Sequence, residues 1–228
     1  LLATRDLPEW GFPAKPQRTR RLLSMLAAVN AQPLNASNLA AALGIDHKTV
    51  IGYCDFLEET FLIRRVRPWS GNTTKRLVKT PRIYWRDSGL LHALMNVQNM
   101  EHLYGQPWVG HSWEGFVIEQ ILVTLGLFGL SAEPYFFRTS DGIESDLVLD
   151  WAGERWAIEI KLTSDPTRSM IQGLQKAADL IGASRRILIC KTVEEIRSEE
   201  LLVTNLPLFL QEMAKMSKAQ LAVTPPQR

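Results

Sequence analysis

The chain is poor in cysteine: Cys54 and Cys190 are its only two in 228 residues. Neither lies in a CxxC spacing or beside a histidine, so nothing suggests a zinc site or a disulfide framework. Both read as reduced, buried thiols that pack as small hydrophobes. His102 and His111 also lack metal-like spacing, and His92 reads as structural. A membrane-length apolar run is missing too. The longest, VIEQILVTLGLFGL from residue 117 to 130, is broken by Glu119 and falls short of the roughly 20 residues a bilayer requires. The chain is therefore expected to be soluble and cytoplasmic. No charged leader precedes an apolar core, and the first residue is Leu1 rather than Met, so the start reads as a cut fragment and not as a signal peptide. A GxxxxGK[ST] loop is absent and GNTTKR does not qualify, so no ATP site is expected within these residues.

A chain that is 46% hydrophobic and 22% charged can bury ordinary cores, and its length suits two modest domains. Its net charge of +2 conceals an asymmetry. Residues 1–110 hold 14 Lys/Arg against 8 Asp/Glu, whereas residues 111–228 hold 12 against 16. From Arg64 to Arg86 there are eight basic residues and no acidic one: Arg64, Arg65, Arg67, Lys75, Arg76, Lys79, Arg82 and Arg86. Such a cluster suits a polyanion or an acidic partner.

Pro8, Pro13 and Pro16 predict a linker without helix over residues 1–16. Leu22, Leu23, Leu26, Ala27 and Val29 then share a face of a helix over 18–29. A short helix with Ser37 as its cap ends at Gly44, and Asp46 caps a third helix reaching about Glu59. The extended runs FLIRRVRP and VKTPRIYWR follow, with SGNTTKR between them. Residues 17–86 thus predict a winged helix-turn-helix with SGNTTKR as its wing. His47, Lys48 and Thr49 open the recognition helix, and Arg64, Arg65, Lys75 and Arg76 supply the wing's charge, which makes all seven candidate nucleic-acid contacts. A protein-docking role is the competing reading of the same fold. SGLLHALMN is a helix capped by Ser88 or Asp87, and it begins a connector spanning 87–104.

From 105 to 228 the expectation is a helix over 111–127, a meander of YFFRT, ESDLVLD and RWAIEIKL, a helix over about 169–181, the strand RRILIC and a closing helix in LPLFLQEMAKM. This is an α/β arrangement whose last strand must cross over to rejoin the sheet. Trp113, Trp151 and Trp156 read as packing. Period two puts Ala157, Glu159 and Lys161 on one face of their strand, with Ile158, Ile160 and Leu162 on the other. On the preceding strand Asp146 shares a face with Glu144 and Val148 and can meet Glu159 across the hairpin. Paired carboxylates repel unless a cation neutralises them, so the pattern calls for a hard cation, Mg²⁺ or Mn²⁺. Asp146, Glu159 and the Ile160 carbonyl would hold it, and Lys161 would hold the attacking water or a phosphoryl oxygen.

A helix Glu in HSWEGFVIEQ, the Asp of GIESDLVLD and the Glu-Ile-Lys of RWAIEIKLT resemble the PD-(D/E)XK nuclease superfamily. The resemblance implies a restriction-endonuclease-like mixed sheet flanked by helices. It also implies that Glu114 joins Asp146, Glu159 and Lys161 in catalysis and in metal binding, and that a following glutamine, Gln172 or Gln175, assists. Glu119 and Glu144 are the neighbouring decoys: Glu119 is expected to be solvated or ion-paired, and Glu144 exposed. More widely, NLAAALGIDHKTVIGYCDFLEETFLIRRVRPW, KTPRIYWRDSGLLHAL and WEGFVIEQIL resemble the C-terminal region of bacterial and archaeal AAA+ ATPases, and DLPEWG is similar to the junction after the ATPase module. By that resemblance residues 1–16 are the linker from an upstream ATPase module, and DNA is the expected partner. The alternatives are a nuclease fold that no longer cleaves and serves DNA binding, and a protein-interaction platform.

Overall fold

The structure is a computed structural model, and it describes residues 1–71 and 75–223. It is a mixed α/β protein in two compact units that exchange chain: residues 1–66 with 80–115, and residues 67–79 with 116 onward.

In the first unit, the segment expected to be a linker is ordered into a π-helical turn, Leu2–Asp6, and a one-turn helix α1, Leu7–Glu9. Pro8 is tolerated because it lies at the helix start, where its missing N–H has no intrahelical acceptor to lose. Burial decides the outcome. Leu7 is fully buried, and the Phe12 ring sits 4.9 Å from Tyr53 and 5.2 Å from Phe56. Next come α2 (Pro16–Ala28), α3 (Ala36–Leu43) and α4 (His47–Glu59). Asn35, not Ser37, caps α3 by accepting the Asn38 N–H, and Gly44 ends it at φ 63°, a left-handed conformation that favours glycine. Asp46 caps α4 as expected. These helices bury Leu22, Leu26, Leu39, Val50 and Leu57 in one core with Ile63, Ile83 and Trp85.

Strand β1 (Ile63–Pro68) pairs antiparallel with β2 (Arg82–Trp85) over Ile63–Val66. Asp87 caps α5 (Ser88–Leu94), and Asn99 caps α6 (Met100–Tyr104), a helix that falls where an irregular connector was expected. The long α7 (Val109–Leu127) contributes residues 109–115 to the first unit and the rest to the second.

The second unit is a sheet of β3 (Tyr135–Arg138), β4 (Glu144–Trp151), β5 (Glu154–Ile160), β6 (Arg185–Ile189), β7 (Ile196–Arg197) and β8 (Leu201–Thr204), in the order β3-β4-β5-β6-β8-β7. β3 to β5 form the expected antiparallel meander. β6 lies parallel to β5 and β8 parallel to β6, which requires crossovers, and α8 (Arg168–Ile181) supplies the first of them. Its face of Leu174, Ala177, Ala178 and Ile181 packs on a core that includes Val148, Ala157 and Leu188. Arg67 and Pro68, at the end of β1, pair parallel with β3, and Trp69 joins this same core. α9 (Leu206–Val223) closes the unit through buried Phe209 and Met213. Trp151 and Trp156 stack edge to face at 5.0 Å inside it, as packing residues. No helix among the described residues is long and apolar enough to cross a membrane.

Candidate functional site

The site grows from the register of β4 and β5, in which Leu147 pairs with Ile158 and Val148 with Ala157. One step further along that ladder, Asp146 stands opposite Glu159. Both carboxylates are buried, at 3% and 7% exposure. Asp146 Oδ2 accepts the Ile160 N–H at 3.0 Å, which locks its side chain against β5. Lys161, just past the end of β5, is held by its own N–H to the Ile189 carbonyl. Its Nζ lies 2.5 Å from Glu159 Oε1 and 3.4 Å from Asp146 Oδ2.

Glu159 Oε2 is buried without a hydrogen-bond partner. Burial, followed by the Asp146 charge, pushes the Glu159 carboxyl up to about 8, against the pull of Lys161. An acid so placed lacks a partner on one oxygen, and an unpaired buried oxygen beside a second carboxylate is chemically suited to a metal ion. Among the described residues no group of three or more His, Cys, Asp and Glu converges. Two carboxylates are too few for a structural zinc site, but with water and phosphate oxygens they are a usual Mg²⁺ set.

Glu114 is placed in the first unit. Its Oε1 accepts from Tyr84 Oη at 2.5 Å and lies 3.3 Å from Arg82 Nη1, in a buried cluster where Gly115 packs against the Tyr84 ring. Arg82 and Tyr84 were not singled out from sequence as partners of this acid, although β-strand alternation puts the two on one face of β2. Glu119 is buried rather than solvated, at 4% exposure, because it faces inward on α7 with Val117, Ile118 and Ile121. Glu144 is partly exposed and ion-paired with Arg138 at 3.0 Å. Gln172 and Gln175 are both exposed on α8.

Among the candidate nucleic-acid contacts, His47 and Lys48 are exposed in the first turn of α4. Thr49 is engaged locally, its N–H and hydroxyl both donating to Asp46. Arg65 is tied to Asp55 and Glu58, each at 2.6 Å. Lys75 reaches Asp141 at 2.8 Å, which holds that carboxyl down at about 2. Arg64 is half-buried and Arg76 exposed. Residues 72–74 of the expected wing lie outside the described residues.

Residues 2–101 match the model of a domain of unknown function, DUF8612, and residues 109–209 match that of another, DUF4143. Uncharacterised proteins of Mycobacterium bovis and Mycobacterium tuberculosis are each 34% identical to the chain over 208 residues, covering 88% of it and 46% of the relative. The chain thus spans about half the length of these curated relatives. No solved structure matches it.

Proposed function

We propose that the second unit is a PD-(D/E)XK nuclease-like domain carrying a metal-dependent phosphodiester-hydrolysing site, and that the first is a winged helix that meets DNA, both within the C-terminal part of an AAA+ ATPase. The observation that carries the reading is the unpartnered Glu159 Oε2 beside Asp146 and Lys161. A divalent cation bound there would supply Lewis acidity and lower the pKa of a water. Asp146 and Glu159 would hold it, each fixed by its strand. With a cation between the carboxylates, the Lys161 ammonium would be the group placed to pair with the attacked phosphoryl oxygens, where charge develops in the transition state. The short contact of Lys161 with Glu159, with Asp146 also in ion-pair range, favours a second reading, in which the lysine is the permanent counter-ion and the fold serves binding without cleavage.

Supercoiled DNA incubated with the chain and Mg²⁺ or Mn²⁺ separates the two. Nicking by the wild type that is lost in Glu159→Ala and Lys161→Ala supports hydrolysis, and equal behaviour of all three sinks it. Calorimetric Mn²⁺ binding, weakened in Asp146→Asn, tests the metal site independently of turnover.

A further inference from the structure

From Trp10 to Ile45 the chain contains no acidic residue but four cations: Lys15, Arg18, Arg20 and Arg21. The fold exposes all four. Lys15 is the N-cap of α2, and the helical spacing of three sets Lys15, Arg18 and Arg21 along adjoining positions of one flank. Together with Gln17 and Leu43 they line an open concavity of about 230 Å³. Among the described residues, no ion pair or hydrogen bond engages these cationic side chains.

The basic cluster of residues 64–86 differs in part: among the described residues Arg67, Arg76 and Lys79 are exposed without an ion pair, but they fold with the second unit. Arg65, Lys75 and Arg82 there are ion-paired to carboxylates of the chain, and a cation that already faces a carboxylate offers a phosphate little net gain. Free positive charge in the first unit is instead concentrated on α2. Leu43 ends α3, so only the turn at Gly44–Asp46 separates this concavity along the chain from exposed His47 and Lys48.

We infer that the Lys15–Arg18–Arg21 flank of α2 is a binding surface for the phosphate backbone of a nucleic acid. The inference rests on the reading of the first unit as facing DNA, but it does not depend on cleavage. The lining excludes the usual alternative: a protein partner needs an apolar, preferably aromatic, centre to its interface, and here the only apolar lining residue, Leu43, is buried. Nucleic-acid interfaces are polar and strongly positive, and cations in a row on a helix match a run of phosphates. The surface contacts backbone alone, so binding there is indifferent to base sequence.

The test measures binding of a fluorescent duplex by the full chain in EDTA over a salt series. The variant Lys15→Gln/Arg18→Gln/Arg21→Gln is compared with Lys176→Gln/Lys215→Gln/Lys218→Gln, which removes the same charge elsewhere. The first triple should weaken binding at least about tenfold and flatten the slope of log K against log salt by up to about 3, near 0.9 per lost phosphate contact. The second should change both much less. All substituted side chains are exposed, and circular dichroism checks that both triples fold. Unchanged affinity in the first triple, equal losses in the two, or an unlabelled polyglutamate peptide that binds the same flank as tightly as the duplex would each overturn the inference. So would a wild type that binds no duplex. Absence of Mg²⁺-dependent nicking, with duplex binding still lost in the first triple, would remove the hydrolytic reading and leave this one standing.

Discussion

At the residue scale, Glu159 is the most informative side chain. Its carboxyl titrates near 8 in the fold, above the ordinary carboxylate range, first because it is buried and then because Asp146 faces it. A raised folded pKa means that this group favours the fold fully below its unfolded pKa, and that the contribution is lost as pH rises through about 8. In EDTA, the wild type should therefore lose thermal stability relative to Glu159→Gln between about pH 5 and about 8. Added Mn²⁺ should reverse the loss, because a bound cation favours the ionised form. Melting curves for the two proteins that stay parallel across this range would contradict the burial of a titrating Glu159. Gly71 makes a separate case: a Cβ there would lie 1.8 Å from the Trp69 ring. That ring is buried, meets Phe137 edge to face and carries the Arg155 guanidinium 5.1 Å above it. Gly71→Ala should therefore cost about 1–3 kcal/mol by overpacking, read from urea melts. An unperturbed midpoint would mean that the ring can leave its site freely.

At the element scale, β2 and the start of α7 are joined by polar contacts buried in the first unit. Arg82 and Tyr84 on the strand hold Glu114 on the helix. Arg82→Met should cost about 3–5 kcal/mol, because it strips a buried carboxylate of its cation. Combining it with Glu114→Gln should recover much of that loss, and strict additivity in the double-mutant cycle would show that the pair is not coupled. Much at this scale was legible in advance. The Asp46 cap, the Gly44 stop and the alternation that brings Asp146 to Glu159 all follow from local chemistry. The partners of Glu114 were not legible, since they lie about 30 residues upstream and nothing local marks them. β7 and β8 escaped notice for a related reason. The four-residue run LLVT forms a strand because β6 offers an edge to pair with, and the two exposed residues of β7 form one only by pairing in turn with β8.

At the scale of the whole molecule, the chain is not divided by a single cut. Sequence composition suggested boundaries at 86/87 and 104/105, whereas residues 67–79 fold with the second unit. Trp69 enters that unit's core, Pro68 pairs with Phe136, and Leu77 bridges to Thr139. A fragment of residues 105–228 should therefore be markedly less stable than the same unit in the full chain, with lower hydrogen-exchange protection in β3. Equal protection in fragment and full chain would show that residues 67–79 are dispensable. The sequence by itself determined α2 to α5, α7 to α9 and the central strands, and it determined the shared face of Asp146, Glu159 and Lys161, because periodicity and capping act over a few residues. Only the tertiary structure decided which charges are spent on internal partners and which stay free, why Glu159 keeps an oxygen without a partner, and why a proline-marked leader is packed through Leu7 and Phe12. Those outcomes depend on burial between residues far apart in the chain, and no local pattern encodes that.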